Sequence, residues 1–335
     1  MSVSQKLLMA SGGTEQPFFA QTLYTGNSTN FRAFDMGHTS ALVVNKMRSP
    51  FQSWCVSDVV RGVGKPLRFD KQLNESNSGN TMREFTSNGF KTGTSSLINQ
   101  SPYNYVAYSF STGGATTVTN TEGSITSSVN ASVGNGFSIC TYTGVGTNGA
   151  TFGHGLDSTP ELVIIKRRDA QGNWWVRGSV LAAGKYLQLD LTNGLLTSTF
   201  IGQTSTIVEI NNNVDQNASG GTYVAYCFHS VAGKSKIGTY TGNGNTNGPI
   251  ITLGFRPAFL MIKRVDNSGP WVILDSARDT SNPRTTAIDA DDNDPEYTLS
   301  GGVNFGDSTF TIKTTAADLN SNNNSYLYLA VAEES

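Results

Sequence analysis

The chain has 335 residues, room for two or three domains, yet only 14% are charged where about 25% is usual, and 36 are glycine, about one in nine. So little charge and so much glycine exclude a long helical bundle or coiled coil. Lys and Arg (23) nearly balance Asp and Glu (25), and the net charge of −2 supplies no field for drawing in nucleic acid or an anionic bilayer.

The opening MSVSQKLLMASGG carries one lysine and then only Leu7 to Ala10 as an apolar or small run. A secretory core needs about 7–15 apolar residues and a spanning helix about 20, so the chain is expected to be made and folded in a cytoplasm, without membrane insertion. Residues 1–20 read as a short arm whose apolar features, Leu7, Leu8, Met9, Phe18 and Phe19, are candidates for docking on a larger assembly.

From Tyr24 onward the chain repeats itself three times. Tyr-Thr-Gly occurs at Tyr24, Tyr142 and Tyr240, and each copy is followed by a lysine in an apolar run: Lys46 in LVVNKMR, Lys166 in LVIIKRRD and Lys263 in FLMIKRVD. Eight residues past each lysine stands a tryptophan, Trp54, Trp174 or Trp271. Each copy closes on an alternating aromatic strand, NYVAYSF, TYVAYCF or SYLYLAVA. Turn signals such as Asn88-Gly89 and Gly220-Gly221 punctuate short runs of Val, Ile, Tyr, Phe and Thr. The expected fold is all-β, three tandem β-sandwich or jelly-roll-like modules behind a short N-terminal arm. The expected bounds are residues 1–20 for the arm, 21–111 for module 1, 112–138 for a semi-ordered Ser/Thr/Gly-rich connector that alternates enough for one or two extended strands, 139–232 for module 2 and 233–335 for module 3. The short link around Lys234 predicts close apposition of modules 2 and 3. The copies also differ: Asp58 and Arg61 align with Asp275 and Arg278, but module 2 lacks the pair.

Each motif that could carry chemistry is weighed against a plainer role. GVGTNG at Gly144 matches GxGxxG but is followed by ATFGHGL instead of a helix, and the Gly233-Lys234-Ser235 run lacks the first P-loop glycine, Phe228 standing in its place. Cys55, Cys140 and Cys227 have no ligand spacing and read as buried hydrophobes, and His154 reads as a turn residue. No catalytic residue and no cofactor is assigned, and no enzyme is expected. The run AIDADDNDPEY makes Asp289, Asp291, Asn293 and Asp294 a weak calcium candidate, although Asp294 takes the EF-hand glycine position and Ser300 the final glutamate position. The anchor lysines read first as structural, Lys46 pairing with Asp58. A tryptophan fixed in three copies reads first as a core anchor. Trp174 and its neighbour Trp175 are kept as the glycan-contact candidates, since aromatic faces stack on sugars.

The stretch EGSITSSVNASVGNGFSICTYTGVGTNGATFGHGLDSTPELVIIKRRD from Glu122, together with GGTYVAYCF from Gly220, GFRPAFLMIKR from Gly254 and the opening residues, resembles a repeat of tail-fibre and other virion structural proteins of tailed bacteriophages, marine ones especially. The resemblance covers residues 122–335 well and 1–110 more loosely. It implies a non-enzymatic virion component, a tail fibre or tail-associated host-recognition protein. A capsid decoration or cement protein and a lectin-like carbohydrate-binding module are the alternatives. The partners it implies are other virion proteins and a host-surface glycan or protein, with no nucleic acid, in a homotrimer by family analogy.

Overall fold

In the computed structural model, which describes residues 16–333, the chain is all-β apart from single helical turns. In module 1, β1 (Phe19–Thr25), β3 (Leu42–Ser49), β4 (Cys55–Asp58) and β7 (Asn104–Phe110) form an antiparallel sheet in the order β1-β7-β3-β4. Three shorter strands, β2 (Arg32–Asp35), β5 (Met82–Thr86) and β6 (Gly89–Thr92), cover one face of it.

The connector supplies the two strands its alternation allows. Its β8 (Val118–Asn120) and β9 (Ser127–Ser132) pair in turn onto β10 (Phe137–Thr143) and widen the sheet of module 2. That sheet repeats the first module's order as β10-β17-β12-β13, where β12 is Leu162–Arg167, β13 Trp175–Arg177 and β17 Thr222–Phe228. It runs on into β14 (Lys185–Gln188) and β15 (Leu196–Thr197), and β11 (Ala150–Gly153) with β16 (Ile207–Ile210) covers it.

Module 3 repeats the order as β18 (Ser235–Thr241), β25 (Ser325–Ala332), β20 (Pro257–Arg264) and β21 (Trp271–Asp275). The sheet continues through β22 (Arg284–Asp289), β23 (Tyr297–Phe305) and β24 (Thr309–Ile312) to β19 (Ile250–Thr252). It curls over itself, so that Phe310 and Ile312 pack with Leu260 and Ile262.

Side-chain alternation explains the composition of the repeats. On β7, Val106, Tyr108 and Phe110 face one way and Tyr105 and Ala107 the other; β17 does the same with Val224, Tyr226 and Phe228 against Tyr223, Ala225 and Cys227, as does β25 with Leu327, Leu329 and Val331 against Tyr326, Tyr328 and Ala330. One set fills each module's own core. The other set, from all three modules, meets in a single shared core that also holds Trp54, Trp174 and Trp271. The anchor strands are apolar on both faces because both faces are buried.

The shared core also takes the end of the arm. Phe18 is fully buried against Phe110 and Phe137, and Phe19, the first residue of β1, packs on Tyr108, Phe110 and Phe259. These two rings seal the junction of the modules and are not free to dock elsewhere, a correction to their place among the docking candidates. Leu7, Leu8 and Met9 lie outside the described residues.

Candidate functional site

The residues in register across the repeats converge on the three junctions between modules. Each of the three repeated tryptophans donates its indole N–H to a backbone carbonyl of a different module: Trp54 to Asp289 at 3.0 Å, Trp174 to Arg68 at 2.7 Å and Trp271 to Gln188 at 2.9 Å. Module 1 thus leans on module 3, module 3 on module 2, and module 2 on module 1, a closed ring. Two backbone bonds per junction follow the same rotation: Glu75 N–H to Arg168 O and Gly172 N–H to Gln72 O, Leu195 to Val265 and Gly269 to Thr192, Glu296 to Arg48 and Gln52 to Asn293.

Behind each tryptophan lies the anchor lysine, fully buried, its Nζ 5.7–5.8 Å from the indole centroid. The ammonium donates to backbone carbonyls, Lys46 to Gln52 at 2.6 Å, Lys166 to Gln72 at 2.9 Å and to Gly172, Lys263 to Thr192 at 2.8 Å and to Gly269. Burial pushes all three down to about 8, with Asp70, Asp190 and Asp291 respectively as the foremost opposing charges. Lys46 does not pair with Asp58 as expected: Asp58 binds Arg61, Nε to Oδ2 at 2.5 Å, with both side chains fully buried.

This Asp/Arg pair is a junction device as well. Tyr226 of module 2 donates to Asp58 at 2.8 Å, and Tyr108 of module 1 donates to Asp275 of module 3 at 2.7 Å beside Arg278. Outer ion pairs reinforce the same two junctions, Arg168 with Glu75 and Arg48 with Glu296. At the junction of modules 2 and 3 every member of the network is replaced by an apolar residue or glycine: Leu329 for the tyrosine, Gly178 and Leu181 for the pair, Val265 and Leu195 for the outer arginine and glutamate. The missing pair of module 2 therefore belongs to a coordinated exchange of a whole polar cluster for an apolar one.

A second threefold feature lies in the loops after Tyr-Thr-Gly. Asn99, Asn217 and Asn320 each stand six residues before the first tyrosine of a closing strand, the spacing by which the sequence could have shown them. Each is buried and clamps the loop after Tyr-Thr-Gly: Asn217 Oδ1 accepts from Val145 N–H and its Nδ2 donates to Thr147 O, both at 2.8 Å. Two tyrosines finish the clamp, Tyr142 donating to Gln216 O and Tyr223 to Val214 O. The glycine of Tyr-Thr-Gly is required by close approach, since a Cβ on Gly26, Gly144 or Gly242 would stand 2.2–2.4 Å from a carbonyl oxygen.

The sequence-selected site residues are put to other uses. Trp174 is fully buried in the shared core, and Trp175 lies in the module 2 core, stacked on Tyr186 at 3.7 Å with its N–H on Asp215. Neither can stack on a sugar, which corrects their place as glycan contacts. The acidic run does not converge either. Asp291 Oδ1 accepts the Trp271 backbone N–H as Asp70 and Asp190 do for Trp54 and Trp174; Asp289 Oδ1 accepts from the Tyr297 hydroxyl; Asn293 offers its backbone carbonyl to Gln52; and the Asp294 backbone N–H donates to Asp292 Oδ1. Among the described residues no group of three or more acidic, His or Cys side chains is arranged to hold a metal ion, so the calcium candidate is not supported. His154 is buried, accepting Leu156 N–H at Nδ1 and facing Thr204 O with Nε2. The three cysteines are buried and unpaired by disulfide.

Two clefts lie off the shared core. One, of about 260 Å³ at the edge of module 3 against module 1, is lined by Phe51, Asp289, Asp292, Asp294, Glu296 and Tyr297. Burial foremost, then neighbouring acidic groups, pushes Asp289 up to about 8. The other, of about 490 Å³, opens on module 2 between Gly178–Lys185 and Ser198–Gln203, with Glu209 at its wall. Phe200 stands at its mouth, exposed and with φ of +54°, a left-handed conformation unfavourable for an aromatic residue.

No curated protein and no solved structure matches the chain. Residues 14–335, all three modules and the connector between them, match a single family described as a domain of unknown function, DUF7483, and the chain belongs to that family.

Proposed function

We propose that the chain is a non-enzymatic structural protein of a tailed-phage particle, a tail fibre or tail-associated host-recognition protein. The observation that carries this reading is the use made of the repeat. The polar residues singled out in register serve either the ring between modules or the loop clamps within them, which makes the chain a rigid three-part body suited to bearing load and displaying loops. The homotrimer implied by the resemblance has a counterpart inside this one chain, where three modules already surround one core.

The experiment is localisation by immunogold electron microscopy on purified particles. Label on the tail is the expected result, label on the head would favour a decoration or cement protein, and absence of the chain from particles would overturn the reading. The lectin-like alternative draws on one feature, the exposed aromatics Phe51 and Phe200 beside clefts.

A further inference from the structure

Module 2 departs from the repeat at one place, and a cleft opens there. The positions that carry Asp and Arg in modules 1 and 3 are Gly178 and Leu181, both in the cleft wall. The residue before them, Arg177, stands where modules 1 and 3 have Ser57 and Leu274. It is 1% exposed. Its Nη2 donates to the carbonyls of Gly202 and Glu209, two cleft-lining residues, while Nε and Nη1 have no partner. A buried guanidinium with two unused nitrogens and no ion pair is costly, and the one carboxylate in the cleft wall, Glu209, is shared with Lys185.

The rest of the lining adds to this. Lys185 brings a second cation at the surface, held by Thr197 Oγ1 at 2.7 Å, against the single carboxylate of Glu209. Gln203 Oε1 is buried without a donor. Ser198 and Thr199 offer hydroxyls, and Phe200 presents an exposed ring held in a strained backbone conformation. An aromatic face, several hydroxyl-matching groups, an unfilled acceptor and a surplus of one positive charge are the complement of a sugar ring that carries an acid group. We propose that this cleft binds a carboxylate-bearing saccharide, with Phe200 stacking on the ring, Lys185 meeting the carboxylate under the positive field of Arg177, and Glu209 accepting from a hydroxyl.

The inference deepens the host-recognition reading and rests on it only for its biological setting, since binding by the purified chain is measured independently of where the chain sits on a particle. The test is calorimetric titration of the full chain with trigalacturonate and sialyllactose, against galactotriose and lactose as their neutral twins. At least one acidic probe is expected to bind about tenfold or more tighter than its twin. Phe200→Ala and Lys185→Ala, both changes at the cleft mouth, should each weaken that probe by about fivefold or more without lowering the unfolding temperature. Phe51→Ala, at the other cleft, should leave it unchanged. Failure of both acidic probes to bind, equal binding of the neutral twins, or binding indifferent to Phe200→Ala and Lys185→Ala would each overturn the proposal.

Discussion

Tyr226 reaches out of module 2 to donate its hydroxyl to Asp58 Oδ2 of module 1 at 2.8 Å, onto the same oxygen that holds Arg61. All three side chains are buried, and Asp58 Oδ1 also accepts from the backbone N–H groups of Val60 and Arg61. Tyr226→Phe should cost about 1.5–3 kcal/mol, the worth of a hydrogen bond to a charged group. Asp58→Ala should cost about 3–5 kcal/mol because it strands the guanidinium. The junction of modules 2 and 3 shows how to undo this: Asp58→Gly, Arg61→Leu and Tyr226→Leu together copy its residues and should recover most of the loss. Urea unfolding of the three proteins checks this, and a triple variant no more stable than Asp58→Ala would refute it.

Asp289 predicts a pH dependence. Its pKa is raised by burial to about 8 in the folded chain, against about 3.9 for a free aspartate, so between those values the folded state holds a proton that the unfolded state has released. Stability from this group is therefore full below about pH 4 and is lost as pH rises towards 8. Asp289→Asn keeps an acceptor for the Tyr297 hydroxyl and removes the titration. At pH 8 the variant should be more stable than the parent by at least about 1.4 kcal/mol, one pKa unit's worth, with little difference at pH 4. Unfolding at the two pH values measures it.

The loop clamp makes a local prediction. Asn217→Ala removes the acceptor for Val145 N–H and Gly146 N–H and the donor to Thr147 O, and should cost about 1–3 kcal/mol. Gly144→Ala should cost at least as much, since its new methyl would stand 2.4 Å from Ala218 O. In both variants hydrogen exchange should quicken first at residues 144–149. Equal protection in parent and variants would show that the asparagine does not hold the loop.

The ring predicts cooperativity. Three of the four tryptophans, Trp54, Trp174 and Trp271, lie in the shared core, whereas most backbone ordering is within modules. Tryptophan fluorescence and far-ultraviolet circular dichroism should nonetheless give coincident urea transitions, because opening the junctions exposes one apolar face of each module's main sheet. Loss of the fluorescence signal well before the dichroism would mean that the modules stand alone.

Much of this was legible in the chain. The threefold register of lysine, tryptophan and closing strand gave the strands and the core, because a period of two in side-chain direction leaves its mark directly on sequence. Tertiary bookkeeping was hidden: nothing in the spacing of Asp58 and Arg61 says that Tyr226, far along the chain, completes them. The acidic run misled because Asp291 is the third copy of a tryptophan cap, four residues later in register than Asp70 and Asp190. Phe18 and Phe19 misled because an apolar pair at the start of the first strand reads alike whether it seals its own core or seeks another protein. The module 2 cleft was beyond reach, since it consists of a departure from the repeat whose effect appears only in space.

Because the three-around-one arrangement closes within a single chain, its assembly is unimolecular, and dilution cannot take it apart as it would three separate subunits. A substitution in a symmetric trimer is made three times over. Here it is made once, which leaves each junction free to change its chemistry while the other two keep the ring shut.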